Sequence, residues 1–302
     1  MQNEIQTVHQ AETQPEVQTT NCEATNGVKC LNCGTEYEGK FCPECGQSAE
    51  TGRFTMKFIW ENLLAAFTSK DGGIWYTLKN LFTRPGAMIV EILNGKRRSY
   101  FSPFPMLFFA LTVYILLFTL TGSRGYFQSI EREFLEEGKT DYVELEIKLG
   151  EEGHNAASRL HTLRKVVGEG FRFYNNHYTA VTMLTLPVFL FTTRAWYGKN
   201  NRKRYYRAEY LVAIAYSMVM VVLYRCLASL VYFFSKDFYD TLRNMIPIVI
   251  ALAFTACFQK MLGFSIAKTA WRSVLATLLY YIVLALLLTL IGLLIFVILV
   301  KY

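Results

Sequence analysis

The stretch from Leu284 to Val300 contains no charged side chain, and that single fact narrows what the chain can become. A spanning helix needs about 20 mostly apolar residues, and lipid accepts only segments that satisfy their own backbone. Four further runs share this character, so the expected fold class is an all-α integral membrane helical bundle. Its roughly five transmembrane helices would cover about Pro103 to Gly122, His177 to Trp196, Ala208 to Phe234, Met245 to Phe264 and Val274 to Val300. Core helices of a water-soluble protein are the competing reading. Composition opposes it: charged residues make up 18%, against about 25% in a soluble domain. Pro187 and Pro247 lie inside two of the runs, tolerable where neighbouring helices or water satisfy the freed carbonyls.

Basic residues in short loops orient such a bundle. Arg84, Lys96, Arg97 and Arg98 precede the first run, Lys199, Arg202, Lys203, Arg204 and Arg207 separate the second from the third, and Lys268 and Arg272 separate the fourth from the fifth. The alternate side offers Lys236 and Arg243, offset by Asp237 and Asp240. A multi-pass protein of the cytoplasmic membrane is expected, with its N-terminus cytosolic and its C-terminus external. Residues 1–29 are rich in Gln, Glu, Thr and Asn without an apolar core, so they read as a disordered cytosolic tail and not as a signal peptide. The external loop at 123–176 carries an alternating segment, Val143 to Leu149, and a helically spaced set at Leu160, Leu163, Val166 and Val167. The membrane domain then occupies 103–302.

Residues 30–47 hold the strongest local motif. Cys30-Leu31-Asn32-Cys33-Gly34 is followed by Cys42-Pro43-Glu44-Cys45-Gly46. Two Cys-x-x-Cys knuckles at this spacing present four thiolates to one tetrahedral ion, with Zn–S distances of about 2.3 Å. Structural Zn2+ held by Cys30, Cys33, Cys42 and Cys45 is the expected cofactor, in a small zinc ribbon. Four thiolates leave no open position for catalysis. A redox pair or disulfides are the alternative, disfavoured by a reducing cytosol and by the lack of a surrounding βαβ pattern. Tyr37 and Phe41 are expected to cover the site. Cys22 falls in the tail, whereas Cys226 and Cys257 read as small apolar packers.

Residues 54–98 read as amphipathic juxtamembrane helices. The apolar stripes are Met56, Ile59, Trp60, Leu63 and Phe67; Ile74, Trp75, Leu78, Leu81 and Phe82; and Met88, Ile89, Ile92 and Leu93, the last stopped by Asn94-Gly95. These stripes either pack on the bundle or lie in the inner headgroup layer. With net charge +7, the run Lys96, Arg97 and Arg98 suits anionic lipid headgroups at about 1 kcal/mol per cation; nucleic acid is not expected as a partner. The order of ribbon, aromatic helices, Arg84-Pro85-Gly86 and Gly95-Lys96-Arg97-Arg98-Ser99-Tyr100-Phe101-Ser102-Pro103-Phe104 resembles an uncharacterised bacterial membrane family, domain of unknown function 3667. The likeness is closest from about Cys30 to Phe109. It implies a zinc ribbon fused to a multi-span membrane region, and it brings no reaction.

An ionisable group inside a span is a functional candidate. Arg225 is the clearest, as a tie between helices or as a substrate contact. His154, His161 and His177 lack a ligand-spaced companion, and no nucleotide loop, nucleophile elbow or hydrolase motif occurs. The sequence therefore leans away from an enzyme. It favours a membrane-anchored adaptor or sensor with a cytosolic protein partner. A transporter or channel component using Arg225 and a lipid-acting enzyme are the alternatives.

Overall fold

A computed structural model describes residues 27–57, 59, 73–121, 158–159, 162, 178–196 and 204–301. Most of the tail, most of the external loop, much of the first amphipathic stripe, the three histidines named above and Lys199 to Lys203 lie outside the described residues. Among the described residues the chain forms two short strands and eight helices. The strands are β1 (Val28–Lys29) and β2 (Glu36–Tyr37), and they pair antiparallel. Two short helices follow, α1 (Ile74–Thr83) and α2 (Pro85–Leu93). The remaining helices are α3 (Pro103–Leu120), α4 (Tyr178–Trp196), α5 (Arg207–Val231), α6 (Lys236–Asn244), α7 (Ile246–Leu262) and α8 (Ile266–Lys301).

Each helix boundary has a local cause. Pro85 and Pro103 open α2 and α3 from the first turn, where a missing N–H costs nothing. Gly263 ends α7 in the left-handed region at φ +68°, donating its N–H to Gln259 O. Ser235 caps α6 by accepting from Phe238 N. Pro247 sits in the first turn of α7, where a missing N–H costs the helix no hydrogen bond. The bend, 48°, falls between α6 and α7.

All five apolar runs are helical, but length and apolarity single out fewer of them. Two helices, α3 and α5, are long and apolar enough to cross a membrane, or three if the bent pair α6–α7 counts as one span. The described residues thus show two to three candidate spans where the sequence suggests about five. α8 begins at Ile266, two turns before the expected start, and its length of about 54 Å exceeds a hydrocarbon core of about 30 Å.

α5 is the central helix, packed by α3, α4, α6 and α7, while α7 also meets α2 and α8. In its first half Ala213, Ile214 and Ala215 are fully buried, as is Val219 at its middle. A line of ring contacts crosses the bundle: Tyr280 of α8 stacks on Phe189 of α4 at 3.7 Å, Phe189 meets Phe254 of α7 at 5.3 Å, and Phe258 meets Tyr210 of α5 at 6.0 Å. Tyr210 opens α5 and Phe258 closes α7, so these two ends share one side of the bundle. Cys226 and Cys257 are buried in the packing as free thiols. On the outside, Leu116, Leu120, Leu227, Leu252, Ile282 and Leu286 stand exposed.

The short helices divide their stripes. Met88, Ile89 and Ile92 of α2 are buried, and α2 packs so tightly that a Cβ at Gly86 would lie 2.9 Å from Ala256 O. On α1, Leu81 is buried but Trp75 is 81% and Phe82 58% exposed. The inward face of α1 is mixed, with Thr77 and Asn80 buried beside Leu81. Thr77 Oγ1 accepts from Phe101 N at 2.8 Å, and Asn80 Oδ1 accepts from Arg84 Nε.

Candidate metal centre and its docking onto the helices

Each knuckle is a tight turn closed by backbone hydrogen bonds. Gly34 N donates to Cys30 O and Gly46 N to Cys42 O, while Cys30 N and Cys42 N donate to Thr35 O and Gln47 O. Gly34 at φ +84° and Gly46 at φ +72° occupy the left-handed region that these turns require. The repeated turn brings Cys30, Cys33, Cys42 and Cys45 together, with all four Sγ atoms within 4.8 Å of one another. Cys30–Cys45 and Cys33–Cys42 are each separated by 3.5 Å. A tetrahedral Zn–S4 site has S–S edges of about 3.8 Å, so the four sulfurs lie close enough to bind a metal ion. The thiols are unequal: the hydrogen bond with Thr35 pulls Cys33 down to about 6, and burial pushes Cys45 up to about 11. Tyr37 is buried beside Cys30 and Cys42. Phe41, expected as a second cover, is 66% exposed, because its isolated bridge to Ser48 turns it outward.

The ribbon does not hang free on an arm. Gln47, buried, donates from Nε2 to Gly95 O at 2.8 Å, and its Oε1 accepts from Arg97 N and Arg98 N at 3.1 Å each. Asn32, between the first two cysteines, accepts from Ser99 N at 3.0 Å and Ser99 Oγ at 2.9 Å. Leu31 lies so close that a Cβ on Gly95 would meet its Cδ1 at 2.6 Å, and Gly95 itself has φ +104°. One residue from each knuckle therefore reads the backbone of the loop between α2 and α3. That loop continues into Phe101, whose N–H is held by Thr77 and whose C=O accepts from Tyr216 of α5 at 2.7 Å.

A buried ion pair makes the second attachment. Arg53 donates from Nε and Nη2 to the two carboxylate oxygens of Glu209 at 2.9 and 2.7 Å, and its Nη2 also reaches Arg204 O. Its guanidinium lies 4.1 Å from the Tyr206 ring centroid. Glu209, 2% exposed, also accepts from Tyr206 N at the start of α5. The hydrogen bond to Glu209 raises the pKa of Arg53. Neither Arg53 nor Glu209 belongs to a motif in the sequence, and 156 residues separate them.

The basic run lies at this junction. Lys96 pairs with Glu91 at 3.1 Å. Arg97 donates to Gly52 O and stacks over Phe54 at 3.8 Å, and burial lowers its pKa to about 10. Arg98 lies beside Gly46. Burial pushes the Glu91 carboxyl upward, but hydrogen bonds from Tyr100, Lys96 and Arg84 outweigh it and hold the group below the ordinary carboxylate range. Arg225 is half-buried in the last two turns of α5, remote in sequence from the ribbon-side contacts of that helix.

Gln47→Ala would leave Gly95 O and the amides of Arg97 and Arg98 without their shared partner. The expected cost is about 2–3 kcal/mol of docking. Hydrogen exchange at Arg97 and Arg98 should accelerate roughly 30-fold or more, while the exchange of Gly34 and Gly46 within the knuckles stays as it is.

A family model described as "Protein of unknown function (DUF3667)" matches residues 71–115. No curated protein matches the chain, and no solved structure does. The matched segment runs through α1, α2, the ribbon-docking loop and most of α3. Over that segment the chain is similar to an uncharacterised family.

Proposed function

We propose that this chain is a polytopic, non-enzymatic membrane protein, an adaptor or sensor in which a structural zinc ribbon acts as a latch on the membrane helices. One observation carries the reading: Gln47 and Asn32, positioned by the two knuckles, hold the backbone of Gly95 to Ser99, which leads through Phe101 into α3. The state of the ribbon is thereby tied to the entry of a candidate span. About five spans in the bacterial cytoplasmic membrane remain our reading. The apolar surface on α3, α5, α7 and α8 supports it, as does the clustering of basic residues at the ribbon-side end. The N-terminus and ribbon then face the cytosol, and the C-terminus faces outward. Lys96, Arg97 and Arg98 serve the ribbon junction first, and their charge also suits anionic headgroups at the same level.

The outward surface of the ribbon, with Glu36, Glu38, Phe41 and Glu44 exposed, stays available to a cytosolic protein. The test is affinity capture from membranes with full-length protein, comparing wild type with Cys30→Ser/Cys33→Ser. The reading expects a discrete set of cytosolic proteins to be lost from the variant. An unchanged set, with equal membrane insertion, would count against it.

A further inference from the structure

We infer that α6 is an interfacial helix whose exposed apolar face, Phe238 and Met245, is seated in a phospholipid boundary together with Phe233 and Phe234 at the end of α5. It rests on the reading of the bundle as membrane-spanning. α5 begins beside Arg53 and Tyr206 on the ribbon side, so α6, which follows the last turn of α5, lies at the opposite end. Charge keeps α6 out of the bilayer centre. It holds Lys236, Asp237, Asp240 and Arg243 within nine residues, groups that hydrocarbon tolerates poorly. α7 does not need α6 in order to cross: its 17 residues give about 25 Å of helix, within the range of natural spans. The 48° bend turns the charged helix off the axis of the apolar one.

Local packing decides which face of α6 looks outward. Tyr239 is buried, with its ring edge-on to Tyr232 at 5.3 Å, and Tyr224 of α5 donates from Oη to Leu242 O at 2.8 Å. These contacts tie α6 to the end of α5. Phe238 and Met245 lie two turns apart on one line of the helix, and both are exposed. Lys236 falls roughly 160° round from Phe238, on the other side. Phe233 is exposed and Phe234 is 90% exposed, just before the Ser235 cap.

The surroundings of this face identify its occupant. Beyond Met245 the exposed line continues onto α7 through Ile248 and Leu252, so the aromatic patch runs onto the flank of a candidate span. Two cations and two carboxylates cancel on α6, and Asp240 already pairs with Arg243 at 3.3 Å. A polybasic surface would select anionic lipid. This one presents rings and a neutral sum of charge, and it binds by apolar burial at the level where headgroups meet acyl chains. Its charged side stays in water.

The test is photocrosslinking of the full-length protein in native membranes, with adducts identified by mass. The photoreactive residue enters one position at a time: Phe238→p-benzoylphenylalanine on the apolar face, Lys236→p-benzoylphenylalanine on the opposite face and Leu252→p-benzoylphenylalanine on α7. Phe234→p-benzoylphenylalanine repeats the measurement should the variant at 238 fail to fold. A phospholipid adduct is expected at 238 as at 252, with a yield several-fold lower at 236. Lipid at 252 but not at 238 would overturn the inference and leave the spans in place, whether 238 joins another protein, residues 122–177 of this chain or nothing. Equal lipid yields at 236 and 238 would also overturn it, since the helix would then be immersed on every side. Absence of lipid at both 238 and 252 would overturn the membrane reading and the inference with it.

Discussion

Stripping the metal from the ribbon, by chelation or by Cys30→Ser/Cys33→Ser, is expected to expose the amides of Arg97, Arg98 and Ser99 to exchange along with the ribbon itself. The ribbon has a pair of two-residue strands and a cluster of three buried residues, far too little apolar burial to offset the entropy of ordering it. On the proposed reading of the four cysteines as a metal site, ligation supplies the difference, on the order of 10 kcal/mol or more for a structural thiolate site. Without it Asn32 and Gln47 lose their placement, and the loop they cap returns to water. Acid should do the same, because protons compete with the ion for the thiolates and binding releases them. Hydrogen exchange with and without chelator reads the effect directly. Protection at residues 97–99 that survives metal loss would show the latch to be independent of the ribbon.

Breaking the Arg53–Glu209 pair should produce the next largest effect, and an asymmetric one. Arg53→Ala leaves a carboxylate that is 2% exposed with Tyr206 N–H and the more distant Arg97 as its support. Removing one member of a buried pair costs about 3–5 kcal/mol. Glu209→Gln instead leaves a guanidinium that is 29% exposed, able to turn toward water and still able to bond Arg204 O. Its cost should be the smaller of the two. Limited proteolysis across residues 50–57 and thermal unfolding in detergent would rank the variants. Equal costs, or a larger one for Glu209→Gln, would contradict the burial that the pair displays.

Much of this arrangement was legible in the sequence wherever cause and effect lie close together along the chain. Knuckle spacing announced the cysteine cluster, Asn94-Gly95 announced the end of α2, and the apolar runs announced the long helices. What stayed hidden depends on distant partners. Gln47 meets its loop about fifty residues later, and Arg53 meets Glu209 across 156 residues; neither pair leaves a periodic trace. The stripe on α1 divides for another reason: Leu78 and Leu81 pack on the core, whereas Trp75 and Phe82 stay exposed. Trp75, Leu81 and Phe82 recur at helical spacing, yet Thr77 and Asn80 face inward because Phe101 N and Arg84 need their oxygens. Periodicity reports apolar residues, and here two polar side chains share the inner face with Leu81.

The double pinning of Phe101 has a consequence for the order of assembly. Its carbonyl waits for Tyr216, 115 residues further on, just as Arg53 waits for Glu209. A ribosome must therefore deliver the whole first half of α5 before the base of α3 can lock. The ribbon's own contacts, from Asn32 and Gln47 to residues 95–99, need nothing beyond α3, so the seat can form early while its attachment to α5 through Glu209 and Tyr216 is completed only later.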